Sequence, residues 1–93
     1  MKQQAHVFYV GRVQGVGFRY TAEETARRAG VTGWVRNRTD GRVELVAQGE
    51  EGVVRAFLND MRAGPMNAYI EQVEVSWSDP TEDFSRFDIR STS

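Results

Sequence analysis

His6-Val7-Phe8-Tyr9-Val10-Gly11-Arg12-Val13-Gln14-Gly15-Val16-Gly17-Phe18-Arg19 passes from a β-pattern to a helical one across a run of glycines. The first six residues are rich in β-branched and aromatic types and predict a strand. From Phe18 to Ala29, small or apolar residues (Phe18, Ala22, Thr25, Ala26, Ala29) recur at helical spacing, with Glu23, Glu24, Arg27 and Arg28 opposite them. Gly30 is placed to end that helix. The stretch from Gly11 to Phe18 holds three glycines and no acidic residue, and it leads directly into Arg19. Glycines let successive N–H groups converge on an anion, and a helix N-terminus adds unpaired N–H groups and partial positive charge. An arginine in that first turn opposes the helix dipole, at a cost of about 0.3–1 kcal/mol. A bound phosphate would remove that cost.

The pattern continues as strand, hairpin and second helix. Val31, Gly33 and Val35 share one face of a strand ending at Asn37, and Asp40-Gly41 gives a tight turn. The next strand runs from Arg42 to Gln48, where Val43, Leu45 and Ala47 alternate with mostly polar neighbours. Gly49-Glu50-Glu51-Gly52 breaks it ahead of a helix from Val53 to about Arg62, which Gly64-Pro65 stops. A fourth strand spans Ala68 to Trp77. A short final one follows within Phe84 to Arg90. The order β-α-β-β-α-β predicts an α+β fold of the ferredoxin-like, split βαβ type, with one antiparallel sheet and both helices on one face. All 93 residues are expected to form one domain.

Composition excludes several chemistries. With no cysteine, there is no disulfide, thiolate metal ligand or cysteine nucleophile. The single histidine, His6, is expected to be buried and structural. The formal net charge is −1, yet residues 1–42 carry +5 and residues 43–93 carry −6. A basic half attracts anions, although two ordinary solvated faces would look the same. Neither a secretory leader nor a membrane span is present in the pattern, so a cytoplasmic protein is expected.

Two residues stand out as candidate machinery, Arg19 and Asn37. The glycine loop matches neither the dinucleotide fingerprint nor the Walker loop, so by itself it is either a tight connection or an anion cradle; Arg19 favours the cradle. Asn37, just before the turn, either bonds its local backbone or holds a water by donating and accepting together. Asp40 serves the turn, and Arg36, Arg38 and Arg42 are expected to form a solvated basic rim.

Gly11-Arg12-Val13-Gln14-Gly15-Val16-Gly17-Phe18-Arg19 resembles the first signature of the acylphosphatases. Gly33-Trp34-Val35-Arg36-Asn37, with Gly41, Val43 and Gly49, is similar to their second. Gly64-Pro65, Ala68, Phe87 and Ile89 also fit, so the resemblance runs from about His6 to Ile89. Ala29 stands where a larger aliphatic is usual, and Ser91-Thr92-Ser93 extends past the last strand. The resemblance implies hydrolysis of an acyl phosphate to carboxylate and orthophosphate, with no cofactor, no metal and no covalent intermediate. It implies that Arg19 and the loop amides of Gln14, Gly15, Val16, Gly17 and Phe18 hold the phosphate, that Asn37 orients the water, and that phosphate or sulfate would occupy the loop. The expected partner is a small-molecule acyl phosphate, without nucleic acid or membrane, and a monomer is the default. Two rivals are an RNA-binding domain of the same topology, weakened by the lack of any aromatic between Arg42 and Gln48, and an inactive anion-binding relative.

Overall fold

The computed structural model describes all 93 residues. Strand β1 (Lys2–Gly11) leads through the glycine loop to helix α1 (Phe18–Ala29), then β2 (Thr32–Asn37), β3 (Val43–Glu50), helix α2 (Glu51–Ala63), a 3₁₀ turn (Pro65–Tyr69), β4 (Ile70–Ser78) and β5 (Phe87–Ile89). The sheet order is β4-β1-β3-β2-β5. The first four strands pair antiparallel, as the split βαβ plan requires. The fifth corrects the expectation of a wholly antiparallel sheet: β5 lies parallel to β2, from Gly33 against Phe87 to Val35 against Ile89.

Both helices cover one face. Alternation sends Ala5, Val7, Tyr9, Val35, Val43, Leu45 and Ala47 toward them, where they meet Phe18, Ala22, Ala26, Val54, Phe57 and Met61 in a single core. Helix α1 has the expected limits because glycine stands at both ends in left-handed geometry, Gly17 at φ 82° and Gly30 at φ 78°. At its C-terminus the Val31 N–H donates to the Ala26 carbonyl and the Gly30 N–H to that of Arg27, a Schellman arrangement.

Three boundaries differ from expectation. Strand β4 runs from Ile70 to Ser78 and not from Ala68 to Trp77, because Ala68 and Tyr69 belong to the 3₁₀ turn that Pro65 starts. Strand β1 begins four residues earlier, because Gln4 is buried by its side-chain bonds to Gln48 (3.1 Å) and Thr81 (3.2 Å). The Gly49–Gly52 stretch is no break. Gly49 and Glu50 continue β3 opposite Gln3 and Lys2, and α2 starts directly at Glu51, whose N–H donates to the Met1 carbonyl.

His6 is not buried. It lies on the open face of the sheet with 42% of its side chain exposed, and its Nε2 sits 2.6 Å from Glu44 Oε2. The basic rim is likewise more ordered than a solvated one. Arg36 Nε and Arg38 donate to Glu44 Oε1 at 2.8 and 3.2 Å, and Arg42 forks onto Asp40 while covering the ring of Phe8 at 4.1 Å. Burial raises the Glu44 pKa, but the hydrogen bonds and charges of His6 and Arg36 outweigh it, holding the carboxyl below its usual range. Trp34, also on this side, lies under Arg36 and Arg90, both 4.8 Å from its ring. Guanidinium groups therefore cover the Phe8 and Trp34 rings, while the His6 ring is bonded to Glu44.

Candidate active site

The glycine loop is pinned at its ends and left open between them. Val13 is fully buried and Phe18 is 2% exposed, its ring centroid 4.8 Å from that of Tyr9. Burying such side chains contributes about 1.5–3 kcal/mol each. That exceeds the roughly 0.5–1 kcal/mol of chain entropy that each loop glycine costs. Gly15 (φ 77°) and Gly17 (φ 82°) both take left-handed backbone conformations that disfavour any side chain, and an added Cβ on either would meet no atom within 4 Å. Conformation, and not crowding, demands glycine at these two positions.

Hydrogen bonding sets the loop apart. The Arg12 N–H donates to the Tyr69 carbonyl, and the next main-chain N–H with a protein acceptor is that of Thr21, which donates to Gly17. From Val13 through Tyr20, none of the main-chain N–H groups donates to the protein. Helix α1 has no side-chain N-cap and no acidic residue in its first turn. Unmet donors and the positive end of a helix dipole thus coincide at one place.

Arg19 and Asn37 face that place together. A cavity of 180 Å³ is lined by Val13, Gly15, Gly17, Phe18, Arg19, Tyr20 and Asn37. Arg19 takes part in none of the ten ion pairs of the fold. Three buried side-chain polar atoms lack a hydrogen-bond partner, Asn37 Oδ1, Arg38 Nε and Gln48 Oε1, and of these residues Asn37 alone lines the cavity. An unpaired buried oxygen costs about 1–3 kcal/mol, which a donor entering the cavity would offset.

The hairpin carrying Asn37 is fixed to the loop by Gln14, whose Nε2 donates to the carbonyls of Arg38 (2.7 Å) and Arg42 (3.0 Å). Gln14 and Val16 do not line the cavity. The Gln14 side chain is spent on this tie, and Val16 packs against the core. Val13 and Tyr20, which sequence reasoning passed over, do line it. Beyond the turn, the Ser93 N–H donates to the Asn37 carbonyl and the Thr39 N–H to that of Ser93, which adds a second restraint on the hairpin.

A larger groove of 590 Å³ runs between α1 and the 3₁₀ turn, but Glu24 and Asp60 among its walls would repel an anion. No group of three or more His, Cys, Asp or Glu side chains is placed to hold a metal ion, and no helix is long and apolar enough to cross a membrane.

A sequence model of the acylphosphatase family matches residues 5–89. The chain belongs to that family. Its relatives include an acylphosphatase of Roseiflexus sp. (strain RS-1), 49% identical over 92% of each chain. Another, from Pyrobaculum aerophilum, is 47% identical over 96% of this chain and 95% of its own. The crystal structure of acylphosphatase from Bacillus subtilis superposes with a TM-score of 0.88 at 38% identity, covering 95% of this chain and 98% of that one. With such coverage on both sides, this chain carries acylphosphatase activity and its substrates are small-molecule acyl phosphates.

Proposed function

We propose that the reaction takes place in the cavity between Arg19 and Asn37, by direct attack of water on phosphorus. Within the Gln14 to Phe18 loop, the main-chain N–H groups of the residues that line the cavity, Gly15, Gly17 and Phe18, receive the phosphoryl oxygens together with the Arg19 fork. The Asn37 amide accepts a hydrogen bond from the attacking water and aims it. The water oxygen bonds to phosphorus as the bond to the carboxyl oxygen breaks. The bonding pair leaves on the carboxylate, and both water protons end on the product, dihydrogen phosphate.

Little apparatus is required for this. A carboxylate, with a conjugate-acid pKa near 4, departs without a general acid. Phosphoryl transfer depends mostly on positioning and on stabilising the equatorial oxygens. Fixed dipoles and one guanidinium supply both, and they are in place before substrate arrives. A phosphate monoester has a poorer leaving group, and the cavity holds no carboxylic acid, histidine or cysteine to protonate it. Each residue invoked belongs to a single chain, so a monomer suffices.

The observation that carries this reading is the coincidence, in one cavity, of unbonded main-chain donors, an arginine outside every ion pair and a buried amide oxygen without a partner. The test is a continuous assay of benzoyl phosphate hydrolysis in EDTA, with p-nitrophenyl phosphate in parallel. Turnover of the first alone is the expected result. Comparable turnover of the monoester, or loss of activity in EDTA, would contradict the mechanism.

A further inference from the structure

Tyr20 is 69% exposed, more than any other large apolar side chain except Met1. It also stands in a particular place. It follows Arg19 in the first turn of α1, and it belongs to two hollows at once. One is the 180 Å³ cavity with Arg19 and Asn37; the other is a shallow groove along α1 shared with Glu23, Glu24, Arg27 and Arg28. The cavity, at 180 Å³, is on the scale of a phosphoryl group with the attacking water. An acyl group larger than acetyl must therefore extend outward, and Tyr20 joins the cavity to the groove beyond.

Tyr20 is the one apolar side chain of that groove, and the other four are charged. Its charges are paired along the helix, Arg27 with Glu23 at 3.2 Å and Arg28 with Glu24 at 3.4 Å, so no lone charge waits there for an acyl substituent. We infer that Tyr20 is a specificity residue whose ring supports the acyl group, so that the enzyme favours aromatic or extended apolar acyl phosphates over acetyl phosphate. The inference rests on the proposed placement of phosphate beside Arg19. An aromatic surface held by two χ angles offers contact area with little rotamer entropy to lose, and pairing with an aryl ring adds a preference beyond simple burial.

The test compares kcat/KM for benzoyl phosphate and acetyl phosphate in the wild type, Tyr20→Ala and Tyr20→Phe. The benzoyl-to-acetyl ratio is expected to fall about 3- to 10-fold in Tyr20→Ala, with the loss in KM for benzoyl phosphate and not in kcat. Tyr20→Phe keeps the ring and should hold the ratio within about two-fold of wild type. An unchanged ratio in Tyr20→Ala overturns the inference, as does a fall of the same size in Tyr20→Phe, which would assign the effect to the hydroxyl. If wild type hydrolyses both substrates but phosphate does not compete with them at Arg19, the placement beneath the inference fails instead; competition that Arg19→Ala abolishes supports it.

Discussion

Gln14 Nε2 lies 2.7 Å from the main-chain oxygen of Arg38, a hydrogen bond that ties the glycine loop to the hairpin bearing Asn37. A second bond, to the Arg42 oxygen, makes the tie bidentate. Gln14→Ala removes both donors and is expected to lower stability by about 1–2 kcal/mol and kcat/KM by roughly ten-fold, through loosened placement. Gln14→Glu should be worse on both counts, because a carboxylate would face two carbonyl oxygens. Urea unfolding and steady-state kinetics read the two effects. A Gln14→Glu variant equal to wild type would show that the tie does not matter.

Replacement of Arg19 should separate activity from stability. Arg19→Ala is expected to lower kcat/KM for benzoyl phosphate by about 10³-fold. Arg19→Lys should lose roughly 10²-fold, since it keeps the charge without the fork. Removing a cation from the first turn of α1 should at the same time stabilise the fold by about 0.3–1 kcal/mol. Chemical denaturation alongside kinetics checks both signs. A destabilised Arg19→Ala would mean that the guanidinium holds the fold together as well.

For Asn37 the expected loss is confined to the chemical step. Asn37→Ala should lower kcat by about 10²-fold while the inhibition constant of inorganic phosphate stays within about three-fold. Because the Asn37 oxygen is buried without a partner, its removal should cost little stability. Equal losses in turnover and phosphate affinity would make Asn37 a phosphate ligand and not an aid to the water.

Much of this architecture could be read from local chemistry. Both ends of α1 were legible because Gly17 and Gly30 adopt conformations that few other residues accept. Arg19 stood out as a cation at a helix N-terminus, whereas Asn37, which local chemistry leaves open to an ordinary turn role, was singled out by the family resemblance. What escaped depends on distant partners. The parallel docking of β5 on β2 joins segments more than fifty residues apart, and no local pattern encodes that choice. Lys2-Gln3-Gln4 looks like a polar tail until Gln48 and Thr81 satisfy Gln4. Glu44 sits at a position that alternation assigns to solvent, yet three basic side chains on two neighbouring strands and the hairpin converge on it and leave its side chain 7% exposed. Tyr20 fell off the apolar face of α1 and so out of the core pattern, and only the cavity gives it a role.

Glu44 also predicts a response to pH. Its folded pKa lies below its usual value of 4.5, so the native state favours the carboxylate. The stability this confers is complete well above pH 4.5 and is lost as pH falls through that value toward the folded pKa. Glu44→Gln should therefore be less stable than wild type at pH 7, by about 1–3 kcal/mol, with a flatter stability profile below pH 5. Urea titrations from pH 3 to 8 check this. Parallel profiles for the two proteins would show that the cluster of His6, Arg36 and Arg38 is not coupled to folding through this carboxylate.

The central claim is that the main-chain amides of the glycine loop and the Arg19 guanidinium together bind a phosphate group. Titrating ¹⁵N-labelled protein with inorganic phosphate, while following amide and arginine Nε resonances, tests it most directly. The account predicts saturable shifts concentrated at Gln14 to Phe18 and at Arg19 Nε, with the Asn37 side-chain amide responding as well. Shifts centred instead on Arg28 and the groove beside the 3₁₀ turn, or no saturable shift in the loop, would contradict it.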